Sequence, residues 1–409
     1  MTQTQPRPGE TTSRRQQVAS TASAARISLG RVFRADGGNY FLLLGTTLFL
    51  VIFGVVMVLS SSSVDSMLAN QGAFGGAGKQ LMFAAIGIPI MLIASRMPPT
   101  FWRRMALPAL AVGAGLQLLV VATPLGAQDG GNQNWLPIGG FQLQPSEIIK
   151  VALVVWLGSI LWAKRNRLGE PKQTLVPIFL IGGGAIGLVL VGNDLGTVII
   201  LGGILIGALF FAGMKLRFIV IPVVLGSIVA VIFAATSESR LRRLTSFFNA
   251  SNCSDVHNDC WQTINGNYAL ADGGIFGVGL GNSKGKWQWV PAADNDFIFS
   301  IIGEELGLIG AIVVLALFVL LAISFIRIMR QAPDLFSRVV TGAVLVWVIG
   351  QACVNIGVVL GVFPVLGVPL PLVSAGGTAL LSTLFAIGIV LSFARGGYRP
   401  LAAEPVQPR

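Results

Sequence analysis

Charge is what this chain has least of. Only 11% of its 409 residues are Asp, Glu, Lys or Arg, against 54% hydrophobic residues and a mean hydropathy of +0.77. A soluble domain has about a quarter of its residues charged, so a soluble fold of this length is excluded. Histidine occurs once and cysteine three times. The only metal set that this leaves is Cys253, His257 and Cys260, and it ranks below a disulfide between Cys253 and Cys260 that staples a long outer loop. No metal site is assigned. Cys353 falls within an apolar run. The Arg14-Arg15 pair lacks the apolar segment that a cleaved signal needs, so residues 1–38 are expected to be a disordered basic tail, with a second short tail over 396–409.

Long apolar runs fill the rest. Windows of about 17–25 residues predict ten spans, near 40–60, 80–95, 105–123, 146–163, 174–192, 197–213, 217–236, 297–326, 336–358 and 374–394. The fold class is therefore an all-α polytopic membrane protein, with a transmembrane domain over 39–395 that includes a large extracytoplasmic loop at 237–295 between the seventh and eighth spans. Short basic connections such as Arg96 to Arg104, Lys164 to Lys172, Lys215 with Arg217, and Arg327 with Arg330 alternate with less basic ones. This bias places both termini in the cytoplasm. The net charge of +11 is mostly this topology signal. Its residues are scattered over loop ends without interleaved aromatics, which argues against a nucleic-acid partner.

The polar residues within or beside the spans collect at the outer ends. Asp294, Asp296, Glu304 and Glu305 line the mouth of the eighth span, and an ionisable residue there marks a functional site by default, because burying it in hydrocarbon costs at least about 2.5 kcal/mol. Helix geometry sets Glu304 about 12 Å beyond Asp296, too far for a carboxylate pair. Asp296 is then the reactive candidate, while Glu304 and Glu305 are structural support. Pro145, Ser146 and Glu147 have helix-start chemistry, and Lys150 shares a face with Glu147; a structural ion pair and a substrate contact are both open readings. Asp194 caps the following helix or faces the same site as Asp296. The Gly- and Pro-rich stretch 361–377, which contains Ser374, is not a regular helix throughout and is expected to line a cavity. Glycines at 273, 274, 277, 279 and 281 point to a close backbone approach. They lack the strand-and-helix context of a nucleotide fingerprint. Arg240, Arg242, Arg243, Lys284 and Lys286 lie on the outer side against the general bias, and suit anionic lipid or a pyrophosphate ligand.

Five segments in order, Gln144-Pro-Ser-Glu-Ile-Ile-Lys150, Asn193-Asp-Leu-Gly-Thr197, Gly277-Val-Gly-Leu-Gly-Asn-Ser283, Asn295-Asp-Phe-Ile-Phe299 with Gly303-Glu-Glu-Leu-Gly307, and Pro369-Leu-Pro-Leu-Val-Ser-Ala-Gly-Gly377, resemble the SEDS (shape, elongation, division and sporulation) family. The resemblance runs from Tyr40 to Arg395. Val55-Val-Met-Val-Leu-Ser-Ser-Ser-Ser63 is more similar to the division members than to the elongation members. The resemblance implies a peptidoglycan glycosyltransferase that polymerises lipid II on the outer face of the bacterial plasma membrane, at the septum for a division member. It implies Asp296 as the catalytic residue. It also implies a class B penicillin-binding protein transpeptidase and other divisome proteins as partners. Gln288 and Ala292 stand where many members carry Glu, Asp294 where His is common and Ala375 where Tyr is common.

Sugar transfer of this type needs one carboxylate as general base, which fits Asp296. Arg243 and Lys286 are the expected pyrophosphate contacts. Glu147, Lys150, Asp194 and Ser374 are expected to line the substrate groove, and a divalent cation, Mg or Mn, is an alternative source of positive charge. A lipid II flippase is the competing reading from another class, and an elongation-type polymerase the competing reading within the family.

Overall fold

The computed structural model describes residues 38–68, 75–129, 132–139, 141–236, 241, 247 and 261–395. Both tails lie outside these residues, as do the expectations for Arg240, Arg242, Arg243, His257 and the Cys253–Cys260 bridge. Eleven helices are found among the described residues: α1 (Gly38–Leu68), α2 (Gly75–Ala94), α3 (Pro99–Ala122), α4 (Pro145–Ala163), α5 (Pro171–Val191), α6 (Leu195–Phe211), α7 (Leu216–Ala235), α8 (Trp261–Asp272), α9 (Ile298–Arg330), α10 (Leu335–Val359) and α11 (Gly377–Ala394). Nine of them are long and apolar enough to cross a membrane. The tenth expected span is α6, whose 17 residues reach about 25 Å, a little short of the hydrocarbon core. The helix α8 belongs to the loop between the seventh and eighth spans.

Burial identifies the centre of the bundle. In α4 and α10, 72% and 61% of the apolar window is buried, against 17% in α7, so α4 and α10 form the interior and α7 is a peripheral, lipid-facing helix. The helix α10 packs on α4, α6 and α9, while α11 packs on α2 and α4. Glycines allow some of these approaches: a Cβ at Gly158 of α4 would lie 2.5 Å from Val340, and one at Gly207 of α6 would lie 2.7 Å from Val346. Within α5, Pro177 removes a donor from the ladder and is followed by a π-helical turn, Ile178–Gly182, the local widening expected where a helix absorbs a proline.

Two features depart from unbroken helices and loops. The connection before α4 folds into a small antiparallel sheet in the order β1 (Ala127–Asp129), β2 (Asn132–Ile138) and β3 (Phe141–Leu143), with Ala127 opposite Trp135 and Leu136 opposite Leu143. Gln133 N donates to the Gly192 carbonyl at 3.0 Å, and Gln117 of α3 bonds the buried Asn134 at 3.2 Å. These bonds fix the sheet across the ends of α3 and α5.

The second departure is a break in α9. Gly307 has φ 68° and ψ −167°, a conformation open essentially to glycine alone. From Gly307 to Arg330 the helix runs about 35 Å, enough to span the hydrocarbon by itself, so the break sits near one membrane boundary. The backbone groups freed there are taken up by the glycine-rich segment: Val278 N donates to the Glu304 carbonyl (3.0 Å), Gly279 N to the Glu305 carbonyl (3.0 Å), and Leu308 N to the Gly274 carbonyl (2.9 Å). The approach is tight enough that a Cβ at Gly273 would lie 2.0 Å from the Gly303 carbonyl oxygen, and one at Gly277 2.2 Å from that of Glu305.

Candidate active site

Asp296 lies in the turn just before α9, partly buried. Three consecutive carbonyls around it are held from two other elements. The Asp294 carbonyl accepts from Ala375 N (2.8 Å), that of Asn295 from the Ser374 hydroxyl (2.7 Å), and that of Asp296 from Asn355 Nδ2 (2.7 Å). Asn355, on α10, also donates to the Val368 carbonyl at 2.8 Å. Leu370 N donates to the Ser374 hydroxyl at 2.8 Å. The irregular segment 360–376 therefore acts as a clamp that sets where the Asp296 carboxylate stands. That carboxylate faces Gly367: a Cβ there would lie 3.7 Å from Asp296 Oδ2, and Gly367 itself has φ +67°. Ser374, expected to touch substrate, is buried with its hydroxyl committed to backbone partners. Asn355 gave no signal as a lone polar residue in an apolar span, although a buried amide at that depth requires partners.

The two glutamates of α9 are fully inside the protein. Glu304 accepts from the Ser283 hydroxyl (2.5 Å), Lys284 N (2.6 Å) and Gly285 N (3.2 Å). It thus organises the π-helical turn Gly285–Trp289. Glu305 accepts from the Ser60 hydroxyl of α1 at 2.5 Å and lies 3.8 Å from the Lys286 ammonium. Lys286 is only 6% exposed and also donates to the Gly281 carbonyl. Its charge is thus spent inside the protein, and contact with a phosphate would require it to leave both partners. Lys284 is the solvent-facing lysine, 3.5 Å from Asp272. The two positions where the family's loop glutamates are absent, Gln288 and Ala292, both have left-handed backbone, φ 67° and 53°.

Glu147 and Lys150 form a buried ion pair at 2.6 Å in the first turns of α4. The Glu147 carboxylate also accepts from Ser382 of α11 (2.7 Å), and Lys150 donates to Gln351 Oε1 of α10 (3.3 Å) while lying over the Trp347 ring. Gln351 Nε2 in turn donates to the Pro369 carbonyl at 2.8 Å. A polar chain thus runs from α4 through α10 to the segment that clamps Asp296. Asp194 caps α6, its Oδ1 accepting from Thr197 N at 2.9 Å, and Gln144 donates to its Oδ2 at 3.2 Å. Burial pushes the Asp194 carboxyl above its ordinary range, only partly offset by the Thr197 bonds and the Lys150 charge.

An apolar cavity of about 540 Å³ opens beside these elements, lined by Asp194, Leu195 and Ile199 of the α6 start, Ala230 and Ala234 of α7, and Phe363 to Leu366. It shares Asp194 with the groove expected from the sequence but not Glu147 or Lys150, which are enclosed between helices. Among the described residues, no three His, Cys, Asp or Glu side chains cluster as metal ligands.

Known proteins are similar to this chain in sequence and in fold. A protein of Mycobacterium tuberculosis named as a probable peptidoglycan glycosyltransferase FtsW is 36% identical over 365 residues, covering 89% of this chain and 69% of that one. The FtsW of Trichlorobacter lovleyi, named in the same way, is 37% identical over 347 residues, 84% of this chain and 90% of its own. Stage V sporulation protein E of Bacillus subtilis is 34% identical over 354 residues, 87% and 96% of the two chains. Among solved structures, the rod shape determining protein RodA of Thermus thermophilus shares the fold with a TM-score of 0.64 at 23% identity, over 88% of this chain and 97% of that one. A chain of a peptidoglycan synthase complex that coordinates polymerization and crosslinking reaches a TM-score of 0.70 at 22% identity, over 87% and 98%. The cell cycle protein family of FtsW, RodA and SpoVE matches residues 40–398, and the chain belongs to that family.

Proposed function

We propose that this protein is a peptidoglycan glycosyltransferase of the division type, joining lipid II disaccharides into glycan strands at the outer face of the plasma membrane. The observation that carries the reading is Asp296, whose backbone is held by three consecutive clamps at the mouth of α9, with an apolar cavity suited to a prenyl chain lined by residues 363–366 of the same clamping segment. Asp296 accepts the proton of the acceptor sugar hydroxyl as that oxygen bonds to the anomeric carbon of the donor. The bond from that carbon to the pyrophosphate oxygen breaks, and undecaprenyl pyrophosphate leaves with the electron pair. Clamping the backbone fixes the place from which the base reaches substrate.

The leaving pyrophosphate needs positive charge, for which Arg243 remains our candidate. A divalent cation, Mg or Mn, would neutralise charge on the pyrophosphate when bound. The Asp296 carboxylate and the amide oxygens of Asn295 and Asn355, both buried without a hydrogen-bond partner, are hard donors of the type such ions take. With few protein carboxylates nearby, phosphate oxygens and water would complete the shell. The reading further places both termini in the cytoplasm, the enzyme at the division septum, and a class B penicillin-binding protein beside it to crosslink the product.

The test is polymerisation of lipid II by the purified protein with its transpeptidase partner. General-base loss costs about 10²–10⁴-fold, so Asp296→Asn is expected to abolish strand formation while the protein stays folded and membrane-inserted. Normal polymerisation by that variant would remove Asp296 as the base. Transfer of labelled lipid II between leaflets without any glycan product would favour a flippase.

A further inference from the structure

Two guanidinium groups share one indole at the basic end of the bundle. Arg103 of α3 lies 4.2 Å from the Trp162 ring centroid near the end of α4, and 5.8 Å from Phe336 at the start of α10. Arg165, in the turn that follows α4, lies 4.8 Å from the same indole, and its Nη1 donates to the Trp162 carbonyl at 3.1 Å. Aromatic contact holds both groups in place, and the carbonyl bond holds Arg165 as well, without cancelling their charge.

Nothing acidic among the described residues neutralises them. The ion pairs found there are Lys150 with Glu147, Lys284 with Asp272, and Lys286 with Glu305, all elsewhere in the molecule. The acids in the described connections at this end are Glu170 and Asp334. Asp334 is occupied in capping α10 through Ser337 N, and neither forms an ion pair with Arg103 or Arg165 within 4.0 Å. Two fixed, uncompensated guanidiniums make a fork for an anion, and phosphate is the one whose geometry they match.

Location says which phosphate. Trp162 is at the end of a spanning helix, where tryptophans mark the boundary between hydrocarbon and head groups. One turn into the membrane from Arg103 on the same face of α3, Leu107 is 56% exposed, an apolar surface along which an acyl chain lies. A soluble anion would use the charges and leave that surface bare. We propose that Arg103, Trp162 and Arg165 bind the phosphate of an anionic phospholipid at the basic end of the bundle, away from Asp296.

The full-length protein in nanodiscs of phosphatidylcholine doped with phosphatidylglycerol tests this, with native mass spectrometry counting the phosphatidylglycerol retained. Each surface guanidinium contributes enough that Arg103→Gln and Arg165→Gln are each expected to weaken retention about fivefold. The double variant Arg327→Gln/Arg330→Gln, which removes charge at the same end without touching an aromatic ring, is expected to retain lipid as the wild type does. Equal retention in all variants overturns the proposal, and so does an equal loss in the Arg327/Arg330 variant, which would reduce the effect to general surface potential. Displacement of the lipid by inorganic phosphate would assign the site to free phosphate and overturn the lipid assignment. Arg165 is exposed, so Arg165→Gln carries the test alone should the Arg103 variant not fold.

Discussion

Asp194 shows how one residue's burial becomes a measurable property. Its carboxylate caps α6, but burial raises its pKa above the ordinary 3.8. A carboxyl raised in this way gives stability that is fully present below the unfolded value and is lost as pH rises through the folded one. Asparagine caps a helix as well as aspartate does and carries no charge to desolvate. Asp194→Asn is therefore expected to melt at a higher temperature than the wild type in detergent, by a margin that grows as pH rises above about 4. A margin that shrinks with pH would overturn the assignment of desolvation as the dominant cause. Asp194→Ala, lacking the cap, is expected to be about 0.5–2 kcal/mol less stable than Asp194→Asn at any pH above about 4.

Elements were legible in proportion to how strongly hydrophobicity dictates them. Nine of the ten expected spans are helices of the length that about 30 Å of hydrocarbon demands, and the tenth, α6, is apolar but shorter. The break at Gly307 was hidden: Gly303-Glu-Glu-Leu-Gly307 is helix-compatible residue by residue, and only the partner segment 273–281 reveals why the helix opens there. The sheet over 127–143 was missed because strands of three to seven residues in a polar loop leave no long apolar period. The glycines did signal a close approach, and the structure supplies its object. Gly277 and Gly281 separate the two reasons for glycine, since their φ values are nearly equal at +81° and +82°, but a Cβ at Gly277 strikes the Glu305 carbonyl whereas one at Gly281 meets open space. Gly281→Ala is expected to cost about 1–2 kcal/mol, the left-handed penalty alone. Gly277→Ala adds an overlap costing about 1–3 kcal/mol more, and it separates Gly279 N and Val278 N from their carbonyls. Thermal unfolding of the two variants checks this; equal melting temperatures would show that the contact at the break contributes nothing.

At the scale of the whole molecule, the candidate base is positioned by residues that no local motif joins. Asp296 belongs to the turn before α9, Asn355 to α10, Ser374 to the irregular segment before α11, and the segment is tied through Gln351 to Lys150 of α4. The sequence suggested the Glu147–Lys150 pair from its spacing, but not that Ser382 and Gln351 reach it from two other helices, because pairing across long separations leaves no period to read. Such a pair stabilises the fold only while both charges are present: removing one partner of a buried pair costs about 3–5 kcal/mol, whereas replacing both with neutral side chains of similar volume is often close to neutral. Lys150→Met alone leaves the Glu147 carboxylate with only the Ser382 hydroxyl and is expected to be severely destabilised. Glu147→Gln/Lys150→Met is expected to recover most of that loss, giving a coupling of about 2–3 kcal/mol in a double-mutant cycle read by detergent unfolding. The same double variant still removes the charge that orients Gln351 toward Pro369, so its polymerisation rate is expected to stay low after its stability returns. Recovery of stability and rate together would mean that the polar chain holds the bundle but does not position Asp296.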